Sequence, residues 1–168
     1  MYNIKVITLM NVSKIKSVFI LSIAPKVLLE SLTIKNCDEL EHIIVDIGDS
    51  IGGGNVFPKL KELNVENCDK MEYIVGHIKA SDDHQNHNEV THIHFPALEC
   101  LKLCSLPSLI GMCTKRYRTT FPPSTVPELI DCSQADIKSF GDFNVAYSIL
   151  RYYDTTIIKV PLFSIFLY

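Results

Sequence analysis

Apolar residues recur along this chain at one repeated set of spacings. Leu29, Leu32, Ile34, Cys37 and Leu40 set the pattern. Leu60, Leu63, Val65, Cys68 and Met71 repeat it 31 residues later, and Leu98, Leu101, Leu103, Leu106 and Leu109 repeat it after a further 38. Upstream, Ile4, Ile7, Leu9, Val12 and Ile15 fit the same frame 25 residues before Leu29. The central members alternate with polar residues: Thr33 lies between Leu32 and Ile34, Asn64 between Leu63 and Val65, Lys102 between Leu101 and Leu103. A period of two predicts a strand with one face in a dry interior and the other in solvent. The C-x-x-L stretch that follows predicts a turn curling back over that interior.

The spacing L-x-x-L-x-L-x-x-[N/C]-x-x-L is that of a leucine-rich repeat, a unit that cannot bury its own apolar side and does so only by stacking on its neighbours. The predicted fold is therefore an α/β solenoid of irregular leucine-rich repeats. Parallel strands line the concave face, with loops and short helical turns outside. About five repeats start near residues 4, 29, 60, 98 and 124, giving a repeat domain over 1–142. Phe57-Pro58, Phe95-Pro96 and Phe121-Pro122 open successive units. The two long spacings carry insertions, Asp46 to Asn55 and Gly76 to His94, whose glycine and polar content predicts loops. The last unit keeps Leu129 and Cys132 but has Ser124 and Pro127 where leucines belong, so it is expected to be poorly formed or to lie at a sheet edge. Residues 143–168 lose the frame and read as a divergent tail or an improvised cap. A solenoid needs polar caps at both ends, and none is legible here, which suggests a piece of something longer.

Bulk properties narrow the picture only slightly. With 168 residues, 47% apolar and 21% charged, the chain reads as one globular domain. A net charge of −3 gives no basic field for nucleic acid or anionic lipid. Of six cysteines, Cys37, Cys68 and Cys132 share one inward slot of the repeat, which favours reduced core thiols over a disulfide framework. Met1 to Phe19 lacks the apolar core and cleavage site of a signal peptide, and the apolar stretch Val160 to Tyr168 is too short to span a bilayer. These features predict a cytoplasmic setting, with the nucleus also open, and no cofactor.

The strings LLESLTIKNCDELEHIIVD, VFPKLKELNVENCDKMEYIVGH and HFPALECLKLCSLPSL resemble the C-terminal repeats of plant disease-resistance proteins of the coiled-coil NB-ARC-LRR type. The resemblance rests on the FPxLxxLxLxxC opening and on the CxxLExI continuation (Cys37, Leu40, Glu41, Ile43; Cys68, Met71, Glu72, Ile74). It implies protein partners: a pathogen effector, a guarded host protein, or the nucleotide-binding domain of a parent receptor. The switch itself is not in this sequence. Gly52-Gly53-Gly54 is followed by Asn55-Val56 and lacks the Lys-Ser/Thr pair of a phosphate loop. A truncated remnant without function, or the substrate arm of a ubiquitin ligase, would share the fold.

Candidate partner-binding residues are the polar members of the predicted strands: Thr33, Lys35, Glu62, Asn64, Glu66 and Lys102. Both signs of charge occur there without a run, which suits a small mixed patch. The simpler reading is a solvated sheet face whose charges pair across strands. Other polar clusters are weaker. Asp82, Asp83, His84 and His87, with His92 and His94 beyond, could offer metal ligands but fall in the longest insertion, where a mobile loop is the expectation. Lys115, Arg116 and Arg118 with Tyr117 read as a solvated basic loop. Cys100, Cys104 and Cys113 carry no signature of a thiol enzyme, and no catalysis is expected.

Overall fold

A computed structural model of the chain describes residues 4–48, 53–78, 90–114, 117–136 and 140. The chain winds as successive coils, and each coil contributes strands to up to three faces. The first coil holds β1 (Val6–Met10) and β2 (Ser17–Ile20). The second holds β3 (Ser31–Lys35), β4 (His42–Asp46) and the two-residue β5 (Gly54–Asn55). The third holds β6 (Glu62–Glu66), β7 (Tyr73–His77) and β8 (Thr91–His94). The fourth holds β9 (Cys100–Cys104), β10 (Gly111–Cys113) and β11 (Tyr117–Thr120), and β12 (Val126–Ile130) begins a fifth. Every pairing is parallel, and the strands sort into a front sheet β1-β3-β6-β9-β12, a second sheet β2-β4-β7-β10 and a third sheet β5-β8-β11.

The front sheet is the leucine-rich-repeat ladder. Leu32 stands beside Leu63 and Leu63 beside Leu101, although 31 and 38 residues separate them in the chain. The inward residues of the second, third and fourth coils, from Leu29 to Leu40, Leu60 to Met71 and Leu98 to Leu109, are shut off from water. Each such aliphatic side chain contributes roughly 1.5–3 kcal/mol of burial. In the first coil the equivalent Ile7, Leu9, Val12 and Ile15 are only half-buried, because β1 is the sheet edge and has a neighbour on one side alone.

A left-handed residue ends each front strand just before the cysteine slot: Asn11, Asn36, Asn67, Ser105 and Asp131, with φ between 52° and 57°. Asparagine and aspartate tolerate this region better than other side chains that carry a Cβ. The three asparagines also form a ladder. The Asn36 amide donates to Asn11 at 3.0 Å, and the Asn67 amide donates to Asn36 at 3.1 Å. One residue on, the Cys37, Cys68 and Cys132 thiols turn inward and point back at the carbonyls of Lys35, Glu66 and Ile130 at 3.4–3.5 Å.

The Phe-Pro pairs form the corner where the chain returns to the front. Phe57 and Phe95 are buried, and their carbonyls accept from the Leu60 and Leu98 amides, closing a turn. Phe95 stacks on Phe121 at 5.6 Å, and Phe57 meets Phe19 edge-on at 4.9 Å.

Outside the front sheet the structure departs from expectation. The return path of each coil is stranded rather than built of loops and helical turns, and the described helix is one short 3-10 turn, Ala24–Lys26. The insertions also end in structure, since β5 and β8 lie inside them; residues 49–52 and 79–89 fall outside the described residues. The last repeat keeps a full five-residue pairing with β9 and lies at the sheet edge. Proline is tolerated there because the Val126 amide points to Glu99. Alternation along the strand then turns the position of the missing Pro127 donor away from β9. Apart from the buried Phe140, the chain beyond Asp136, including 143–168, lies outside the described residues.

Candidate functional site

Parallel register decides which outward side chains of the front sheet meet. One row runs Val6, Ser31, Glu62, Cys100, Val126. The next runs Thr8, Thr33, Asn64, Lys102, Glu128, and the third runs Met10, Lys35, Glu66, Cys104, Ile130. All six candidate residues therefore lie on one side of three adjacent strands. The first and third rows change character along their length, while the second is polar throughout. Exposed Val6, Met10 and Val126 stand on the edge strands, with polar and charged groups between.

Several of the charges on this face are already matched. Lys35 and Glu66 form an ion pair at 2.6 Å, both about two-thirds covered. Lys102 reaches Glu128 at 4.0 Å. Glu62 accepts from the Ser31 hydroxyl at 3.4 Å. The predicted strand-to-strand pairing is thus seen for Lys35 with Glu66, whereas Lys102 pairs with Glu128, a residue outside the predicted set. The residues flanking the strands continue the pattern: Lys5 pairs with Glu30 at 3.1 Å and Lys61 with Glu99 at 3.9 Å. These contacts are exposed and individually weak, but they recur coil after coil and match charge to register.

A second polar cluster, unexpected from the sequence, lies where the second and third sheets meet. Asp46 is buried at the end of β4 and accepts a hydrogen bond from the Tyr117 hydroxyl, and His77 Nδ1 lies 3.6 Å from the same carboxylate. Tyr117 and Arg118 thus belong to β11 and not to a solvated loop; Tyr117 faces inward while Arg118 remains exposed. Lys115 and Arg116 lie outside the described residues. The signal for this cluster was faint, since Asp46 and Tyr117 are 71 residues apart and Tyr117 sits in a run of basic and hydroxyl residues.

Of the histidine-rich insertion, His92 and His94 are described. They share the outer side of β8 with rings stacked at 6.4 Å, and His94 is hydrogen-bonded to Thr120. Asp82, Asp83, His84 and His87 lie outside the described residues. Among the described residues no three His, Cys, Asp or Glu side chains gather in a metal-binding arrangement.

The thiols are all free. Burial pushes Cys68 and Cys132 up to about 11, and it also raises Cys113 and, less deeply buried, Cys100. A raised thiol holds little thiolate near neutrality, the opposite of what a cysteine nucleophile requires.

Stacked coils whose strands form three parallel sheets, the front one on a leucine template, define the chain as a leucine-rich-repeat protein. More specifically, residues 27–129 match the family described as plant disease resistance protein RPS2-like leucine-rich repeats. That match covers more than half of the sequence, and the chain belongs to this family. No curated protein and no solved structure matches the chain significantly. Repeats of this kind serve as interaction modules, with an extended sheet as the binding surface. Among the described residues no helix is long and apolar enough to cross a membrane.

Proposed function

We propose that this chain is a non-catalytic recognition module of a plant innate-immune receptor, binding protein through the outward side of its front sheet. The partner is a pathogen effector, a host protein that effectors modify, or the nucleotide-binding domain that the repeats hold inactive. Thr33, Lys35, Glu62, Asn64, Glu66 and Lys102 form the contact surface. The observation that carries this reading is their placement in one patch across β3, β6 and β9. Family membership supports the defence role. Six free thiols support a reducing, intracellular compartment. The phosphate-binding switch would be supplied outside this sequence.

The test is capture from plant extract by the full chain and by a variant with Lys35, Glu62 and Lys102 reversed in charge. The reversed chain, shown to melt at the wild-type temperature, should lose the captured partner. Retention of every captured protein would remove the front sheet from the account.

A further inference from the structure

We infer that the outer edge of β1 is a self-association surface, on which a second copy of this chain docks strand against strand and antiparallel, about a twofold axis through Thr8. In the first coil the Lys5 carbonyl accepts from the Ser31 amide, and the Asn11 amide donates to the Lys35 carbonyl. Backbone groups alternate along a strand, so those of Ile7 and Leu9 also turn to β3, and those of Val6, Thr8 and Met10 turn away from it. β1 ends its sheet, and among the described residues nothing pairs with that outer edge. Exposed large apolar side chains gather in this coil: Ile4, Val6, Met10 and Ile23. Beside them Ile7, Leu9, Val12 and Ile15 are only partly covered.

The occupant follows from the strand itself. Val6-Ile7-Thr8-Leu9-Met10 is close to a palindrome in chemistry, with two apolar residues on each side of a threonine and no charge. Turned about Thr8, it sets Thr8 opposite Thr8, Val6 opposite Met10 and Ile7 opposite Leu9 of the second copy. Every backbone group on the open edge then exchanges hydrogen bonds, and apolar side chains meet on both faces of the new pair. Lys5 falls opposite Asn11 of the second copy and keeps Glu30 as its counter-ion, so no like charges oppose each other within the strand. An acidic strand would find little to match here, because Lys5 and Lys16 are already held by Glu30 and Glu41 of the next coil.

The opposite edge of the sheet does not accept a strand in the same way. The Val126 amide points to Glu99, so Pro127 takes the outer position on β12, where it offers no N–H. One competent edge per chain gives a closed pair rather than a growing fibre. The two five-stranded front sheets then run on as one, with both outward faces on the same side. The surface proposed above for protein recognition is thus presented twice.

Two measurements on the full chain test this. In the first, sedimentation equilibrium follows the chain from micromolar to submillimolar concentration. The wild type should pass from monomer to dimer and stop there. Thr8→Pro removes an outward N–H while leaving the β3 ladder intact, and should weaken the dimer about thirtyfold through the two hydrogen bonds lost per pair. A wild type that stays monomeric or grows past two copies, or a dimer indifferent to Thr8→Pro, would overturn the inference. The second measurement decides the matter even if Thr8→Pro does not fold. In a chain with Cys100 and Cys104 changed to serine, Thr8→Cys should oxidise to a covalent dimer, since facing Cα atoms of a hydrogen-bonded antiparallel pair lie about 5.5 Å apart. Thr33→Cys should stay unlinked between chains, because the two copies of that position lie three strand spacings apart, roughly 14 Å. No covalent dimer through position 8, or an equal yield through position 33, would contradict the pairing.

Discussion

The front sheet and the second sheet are wound by the same coils, yet they treat their side chains differently. Front strands alternate strictly, with Leu63 and Val65 inward and Glu62, Asn64 and Glu66 outward. In the second sheet burial runs on without alternation: Ile43, Ile44, Val45 and Asp46 of β4, and Ile74, Val75 and Gly76 of β7, are all covered. Alternation leaves one face free to meet a partner, whereas continuous burial commits both faces to holding the coils together. The front sheet is thus the surface the molecule can vary, and the second is its frame.

That contrast can be broken from either side. The largest expected effect is on the dry interior they share: Leu63→Ala should cost about 2–5 kcal/mol in urea unfolding, since its side chain is 1% exposed and its neighbours on both rungs are leucines. Gly76→Ala attacks the frame alone. A Cβ there would lie 2.4 Å from the His42 ring, so the variant should lose about 1–3 kcal/mol, with part regained when His42→Ala is added. Asn36→Ala strikes the corner between the two sheets. It removes the middle of the amide ladder and places alanine at a φ of 53°, an expected loss of about 1–2 kcal/mol. Asn36→Gly keeps the backbone region and should recover the conformational part. The smallest effect belongs to the front face, where a double-mutant cycle on Lys35 and Glu66 should give a coupling of about 0.2–1 kcal/mol that shrinks with added salt. Variants of that face should unfold like the wild type while changing what the chain holds.

The front sheet was legible because its signal is local. Leucines and their polar neighbours fall within seven residues, and the same frame returns in each coil, so rung pairing follows from alignment alone. The outer faces were not legible for the reason the comparison exposes. Runs such as His42-Ile43-Ile44-Val45 have no period to distinguish a buried strand from a buried turn. Strand β5 sits in a glycine-rich segment and β8 follows a polar one, and both read as loop. The candidate patch was legible as a set of positions, and Lys35 with Glu66 as a pair. Glu128 was missed as the partner of Lys102 because it lies in the repeat whose leucines are replaced by Ser124 and Pro127. The left-handed asparagines were visible in the sequence only as a polar residue ahead of the slot that Val12, Cys37 and Cys68 fill. Their ladder needs the register to be known first.

Stacking of the coils makes residues 31 apart in the chain immediate neighbours on the front sheet. Thr33 and Asn64 are in register on β3 and β6, where strands lie about 4.8 Å apart, within reach of a disulfide. Lys102 lies one strand further on, at roughly 9.6 Å from Thr33 by the same spacing and beyond that reach. In a chain with Cys100 and Cys104 changed to serine, mild oxidation should link Thr33→Cys to Asn64→Cys within one molecule and leave Thr33→Cys with Lys102→Cys unlinked. A link between 33 and 102, or none between 33 and 64, would contradict the stacked-coil architecture and the surface assigned to it.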